Sequence, residues 1–359
     1  MKEEFLKYKL NNMTLSDKIG QLFMIDYRNT LEMNTSLEKV LEKYNPGGFI
    51  IFKSNISNYN QTKRLINDIK EICNIPIIIS VDQEGGRVQR LNERLNIQKY
   101  PPMLEIGNTN NETISYELGI KMGNELKNIG IDMNMAPVLD IYSNPRNTVI
   151  SNRSFGTTST TVSKMALAYA EGLKESNIIA IGKHFPGHGD TLRDSHINLP
   201  TIDKNIEELN NLEFKPFKEA IKRNIPGLMV AHIAIPNITK DNTPASLSKI
   251  MINNILRNSL NYKGLVITDS LKMKALSNYY TNQEIYSKCI EADNDILLMP
   301  NNIEEAYKTI YNKIDKGLIL NERIDKSVYR ILNTKYDYGL FDKDFNQYKK
   351  RIKQRNIRK

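Results

Sequence analysis

The alternation of short β-branched runs with longer segments of helical periodicity constrains this chain more than any other feature. Residues 48–52, 75–82, 131–140, 178–184, 227–235, 264–269 and 295–300 read as strands, and 19–26 is a candidate eighth. Helical periodicity fills most of the gaps. Within 113–128, Ile114, Leu118, Met122 and Leu126 recur every four residues and lay an apolar stripe along one face; 162–175 and 207–223 behave similarly. This is the pattern of βαβ units around a parallel sheet. The runs are apolar throughout rather than alternating, so both faces of the sheet are buried, as in a barrel or a doubly wound sheet.

Polar residues decide between the two. Asp82, Asp140, Lys183 with His184, and Asp269 each stand at the end of a different run, and His232 stands near the end of another. In barrel enzymes the active site is built at the C-terminal ends of the strands, so the expected fold is α/β, a (β/α)₈ barrel of TIM type in a single domain. The chain's 359 residues suffice for it. We assign residues 1–342 to the barrel and 343–359 to a basic C-terminal tail expected to be flexible.

Composition sets the class. With 40% hydrophobic and 25% charged residues the chain is an ordinary globular one. Charges interrupt the first 25 residues too often for a signal-peptide core. The longest apolar runs, such as 75–81, have strand length, so no membrane span and a cytoplasmic location are expected. Two cysteines, Cys73 and Cys289, make no disulfide framework and read as buried thiols. The net charge of +9 owes seven units to Lys349, Lys350, Arg351, Lys353, Arg355, Arg358 and Lys359, and without them it is +2. No nucleic-acid partner is expected from so local an excess.

Chemistry concentrates in three stretches. The segment 183–196 holds three of the four histidines, and its Pro186, Gly187 and Gly189 force a loop carrying His188, Asp190, Asp194 and His196 over the barrel mouth. Asp194 lies one residue from His196, close enough to fix the imidazole's tautomer and raise its basicity for proton donation and return. An isolated Asp-x-His is more often a structural pair, and the loop context favours catalysis. The run 264–269 ends at Asp269, where a carboxylate on a rigid strand can attack an anomeric carbon; a helix N-cap is the plainer reading of the same residue. In 81–90, Gly85-Gly86 makes a turn, Asp82 can accept sugar hydroxyls, and Arg87 and Arg90 offer donor forks, although Arg87 also reads as a structural partner of a carboxylate. Arg153 follows the run that ends at Asp140.

Together these motifs resemble the family 3 glycoside hydrolases, specifically their β-N-acetylhexosaminidase branch, over roughly residues 15–340. The loop 183–196 resembles that branch's signature almost throughout, and 81–90 and 267–271 stand in the family's order. The resemblance implies that Asp82, Arg90, Arg153, Lys183 and His184 bind N-acetylglucosamine, that Asp269 is the nucleophile, and that His196 is the acid/base in place of the usual second carboxylate, with Asp194 beside it. It further implies a retaining hydrolase that needs no cofactor or metal and takes a small glycoside or muropeptide, with peptidoglycan fragments as the source. A histidine does not repel phosphate, so phosphorolysis by the same mechanism stands as an alternative. A metal-dependent hydrolase using His188, Asp190, Asp194 and His196 is a second, and a sugar-binding protein without turnover a third.

Overall fold

Eight strands carry the apolar runs: β1 (Phe23–Ile25), β2 (Gly48–Ile51), β3 (Ile78–Val81), β4 (Met133–Asn134), β5 (Ile179–Phe185), β6 (Gly227–Val230), β7 (Leu265–Thr268) and β8 (Leu297–Leu298). The computed structural model describes residues 1–191 and 199–357. All neighbours are parallel, in the order β8-β1-β2-β3-β4-β5-β6-β7. A parallel bridge between Ile267 and Ile296 ties β7 to the residues just before β8, which closes the sheet and leaves no edge to cover. Every strand residue is buried, as expected where side chains fill the barrel on one face and helices cover the other. The first run splits, because residues 19–21 finish the helix Leu15–Gln21 and only Phe23–Ile25 is strand.

The helix over 113–128 forms as Glu112–Ile129, but only half of the stripe marked from the sequence, Met122 and Leu126, is fully buried in it. Ile114 is exposed, while Ser115, Gly119, Met122, Gly123, Leu126 and Ile129 are buried. The cause is its close approach to the next helix, Ser159–Glu175. A Cβ on Gly119 would stand 2.3 Å from the Tyr169 carbonyl oxygen, and one on Gly172 2.1 Å from that of Tyr116. Small residues complete this seam, so hydrophobicity alone finds only part of it. The helix expected over 207–223 is two, Ile206–Asn211 and Phe214–Lys222, with buried Glu213 at the break, ion-paired to Lys204 at 2.5 Å.

The first and last helices of the described residues pack on one another. Phe5 of the helix Lys2–Asn11 packs edge-on against Phe341, Phe345 and Tyr348 at 5.8, 5.2 and 5.4 Å. The segment from residue 343, expected to fray, belongs to a helix, Asp342–Ile357. Its charge pattern conceals Phe345 and Tyr348, one turn apart and facing Phe5, and Asp344 pairs with Lys9 at 2.7 Å. At the strands' N-terminal ends buried carboxylates meet cations: Asp295 meets Arg257 and Arg330, and Asp132 meets Lys70. Both cysteines are free and buried. Among the described residues no helix is long and apolar enough to cross a membrane.

Candidate active site

The C-terminal ends of the strands surround a cavity of about 770 Å³. Seven of the residues singled out from the sequence line it: Asp82, Arg90, Arg153, Lys183, His184, His188 and Asp269. Asp194 and His196 lie outside the described residues.

Asp82 comes directly after β3, and the chain then turns at Gly85-Gly86 into a short hairpin, Gln83–Gly85 with Val88–Gln89. Side-chain amides hold this hairpin to the barrel. The Asn134 side chain, at the end of β4, accepts from Gln83 N–H at 3.0 Å and donates to Gln83 O at 2.8 Å. Gln83 Oε1 in turn accepts from the N–H groups of Arg90 and Leu91 at 2.9 and 3.0 Å. The result fixes Asp82, Glu84 and Arg90 relative to one another.

Glu84 was not singled out from the sequence, yet it is the anchor of this wall. Fully enclosed, it accepts Nε and Nη2 of Arg153 at 2.8 Å each and lies 2.5 Å from Lys183 Nζ. Burial opposes its charge, but the two cations outweigh burial and hold the carboxyl well below the usual carboxylate range. Lys183 also reaches Asp82 Oδ1 at 3.1 Å, and Arg90 stands 3.6 Å from Asp82 Oδ2. Burial works against the Lys183 ammonium too, and Glu84 and Asp82 still keep it above the ordinary lysine value. Glu84 stands two residues after Asp82 in the same motif, and this acid in a Gly-Gly turn next to two arginines was the available signal. Arg87, weighed as the partner of a carboxylate, instead donates to the carbonyl oxygens of Thr148 and Val149.

In β5, Lys183 pairs with Met229 and Phe185 with Val230, so His184 is an extra residue in the ladder. Such a bulge re-aims side chains, and here Lys183 and His184 both reach the cavity while Phe185 packs outward on Phe214 and Phe217 at 5.4 Å. Asp140 organises the chain from this bulge into the loop after β5. It is fully buried and accepts from His188 N–H at 2.6 Å and His184 N–H at 3.2 Å, with His184 Nδ1 at 2.6 Å from its other oxygen. Burial would raise its pKa, but the two histidines lower it. His188 faces the cavity with Nδ1 2.6 Å from Thr191 Oγ1, and burial, aided by His184, pushes its imidazole down to about 4. Gly189 lies so close to the strand end at Ile141 that a Cβ there would stand 1.6 Å from the Ile141 carbonyl oxygen. The start of the loop is thus clamped, and Asp190 is ion-paired to Lys204 at 2.8 Å. Among the described residues no group of three His, Cys, Asp or Glu converges on a point that could hold a metal.

Asp269 comes directly after β7. It caps no helix: the short helix Lys274–Ser277 begins after Met273, which removes the plainer reading. Among the described residues the one hydrogen bond to its carboxylate comes from Ser270 N–H to Oδ1, at 2.7 Å. His232 supports the same turn from behind, with Nε2 2.9 Å from Ser270 O and Nδ1 2.7 Å from Ser246 Oγ. Burial works against ionising Asp269, and His184, His232, the Ser270 N–H and Lys183 more than compensate, so its carboxyl lies below the ordinary value.

Known proteins share this architecture. A β-hexosaminidase A of Pseudoalteromonas piscicida is 30% identical over 90% of this chain and 61% of its own length. A β-hexosaminidase of Idiomarina loihiensis is 33% identical over 80% of this chain and 86% of its own. The structure of a glycoside hydrolase family 3 β-N-acetylglucosaminidase from Paenibacillus sp. superposes with a TM-score of 0.88 at 37% identity, over 91% of this chain and 63% of that one. The chain therefore spans less than two thirds of the first and third of these. The family model for the glycosyl hydrolase family 3 N-terminal domain matches residues 14–334, and with relatives of this identity over most of its length the chain belongs to glycosyl hydrolase family 3.

Proposed function

We propose that the cavity is the active site of a retaining β-N-acetylglucosaminidase that releases a terminal β-linked N-acetylglucosamine through a covalent glycosyl-enzyme intermediate. The observation that carries this reading is Asp269: an ionised carboxylate on a rigid strand end, open to the cavity, with only Oδ1 hydrogen-bonded among the described residues. In the first step an Asp269 oxygen bonds to the anomeric carbon as the glycosidic bond breaks, and His196 gives its proton to the departing oxygen. In the second, His196 takes a proton from water as that water displaces the ester, returning the original configuration. Asp194 orients His196 and favours its imidazolium. Asp82, Arg90, Arg153, Lys183 and His184 hold the sugar, whose hydroxyls meet a charge lattice already fixed by Glu84 and Asp140, so little reorganisation accompanies binding. Relatives named β-hexosaminidase and β-N-acetylglucosaminidase support the choice of sugar, and peptidoglycan fragments are the proposed source of it.

The test is to incubate the purified chain with 4-nitrophenyl N-acetyl-β-glucosaminide and the matching β-glucoside, in EDTA, with and without phosphate. Release of free N-acetylglucosamine from the first substrate alone is expected. Sugar 1-phosphate as the product would make the enzyme a phosphorylase, and activity lost to chelator would favour the metal-dependent reading. No cleavage of either substrate would remove Asp269 and His196 as a catalytic pair.

A further inference from the structure

Charge is unevenly matched on the two helices that pack together at the ends of the chain. The lysines of the helix Lys2–Asn11 all meet carboxylates: Lys2 meets Asp337, Lys7 meets Glu3 at 2.8 Å, and Lys9 meets Asp344 at 2.7 Å. The helix Asp342–Ile357 beside it is different. From Phe345 to Lys359 the sequence holds seven lysines and arginines and no Asp or Glu. Among the described residues Lys349, Lys350, Arg351 and Lys353 make no ion pair; Lys349 lies over the Phe345 ring at 4.7 Å, and Arg351 donates to Tyr8 Oη at 3.4 Å. Lys349 and Lys353 stand one turn apart, where like charges cost helix stability. A helix that needed only to be soluble would mix its signs, as the first one does.

The packing fixes what this charge can meet. Phe345 and Tyr348 are turned inward on the core against Phe5, so these rings are not free to insert into a second surface or to stack on bases. Lys350, Arg351 and Lys353 are exposed. Tyr8 borders them: its residue is 40% exposed, and its ring lies 5.2 Å from that of Tyr348. A half-exposed tyrosine beside unpaired cations suits a bilayer surface, where such a ring sits at headgroup level and the cations meet lipid phosphate. Tyr338, four residues before the helix, accepts from Asn177 Nδ2 at 3.1 Å, and Asn177 comes two residues before β5. The helix therefore starts at the N-terminal end of the barrel, and the cavity opens at the other. We infer that the outward face of the helix Asp342–Ile357, centred on Lys350, Arg351 and Lys353, docks reversibly on an anionic lipid bilayer and leaves the cavity at the opposite end open to solvent.

The experiment sediments the full chain with vesicles of phosphatidylcholine, either alone or carrying about one-third phosphatidylglycerol. Retention by the anionic vesicles only is expected in ~0.05 M salt, and its loss in ~0.5 M salt. The triple variant Lys350→Gln, Arg351→Gln and Lys353→Gln should bind the anionic vesicles about 100-fold more weakly, at roughly fivefold per cation, with an unchanged melting temperature. Lys350→Arg with Lys353→Arg keeps the charge and should bind as wild type does. No retention by anionic vesicles, equal retention by neutral ones, or retention that the triple variant leaves unchanged overturns the inference. Tighter binding of random-sequence duplex DNA than of the vesicles, lost in the same triple variant, overturns the membrane as partner and assigns the face to nucleic acid.

Discussion

Replacing Glu84 with Gln isolates the charge that holds the floor of the cavity together. Glutamine keeps the shape and one acceptor, but it removes the negative charge that faces Arg153 through two hydrogen bonds and Lys183 through a third contact. Lys183 is then left with Asp82, which already serves Arg90, and Arg153 keeps only the Val149 carbonyl oxygen among the described residues. Breaking a buried ion pair by removing one partner costs about 3–5 kcal/mol. An unfolding entropy of ~2.1 cal/mol/K per residue, applied to 359 residues, gives about 0.75 kcal/mol per kelvin. The melting temperature should therefore fall by about 4–7 °C at neutral pH, as read by scanning calorimetry. The depressed carboxyl sets the sign with pH: its contribution is complete above the unfolded value near ~4.3 and is lost as pH falls below that toward the folded one. The gap between wild type and variant should accordingly narrow in acid. A variant melting within about 1 °C of wild type at neutral pH, or a gap that widens below pH ~4, would refute the reasoning.

The same geometry sets further expectations. Asp269→Ala should lower kcat/KM by at least ~10³-fold on every substrate, since no other group is placed to form the ester, and a loss of less than tenfold counts against it as nucleophile. His196→Ala should lose about 10²–10⁴-fold on disaccharides but much less on nitrophenyl glycosides, whose leaving groups need little protonation; equal losses would speak against His196 as the acid. Gly189→Ala forces the loop away from the Ile141 carbonyl, so kcat/KM should drop about 10- to 100-fold while circular dichroism shows the fold retained, and wild-type kinetics would show that the loop tolerates the shift. Lys335 is fully buried with Nζ 2.5 Å from Gln21 Oε1, and burial pushes its pKa down to about 7. Between that value and the unfolded one near ~10.4 the unfolded chain binds more protons, so wild type should gain about 1 kcal/mol per pH unit relative to Lys335→Met as pH rises from 7 to 10. Denaturant midpoints that run parallel for the two proteins over that range contradict it.

The barrel was legible because its cause is local. A strand buried on both faces must be apolar throughout and short, and the run ending at Asp269 carries that requirement in its own residues. Elements whose partner decides their face were not legible. The seam of the helix Glu112–Ile129 is made by Gly119 and Ser115 because another backbone lies against it. The helix Asp342–Ile357 is placed by two aromatic residues rather than by the surrounding charge, because Phe5 is there to receive them.

The site divides in the same way. By itself the sequence determined which groups end the strands, since Asp82, Lys183, His184 and Asp269 stand after apolar runs whose direction and length leave them at one rim of the barrel. Only the tertiary structure decided how those groups are charged and held. Glu84 sits 69 residues from Arg153 and 99 from Lys183 in the sequence, and Asp140 lies 44 from His184. An ion pair has no sequence pattern when its members come from different strands. It exists because barrel closure brings those strand ends together in a space that excludes water, where an unpaired charge is too costly to remain.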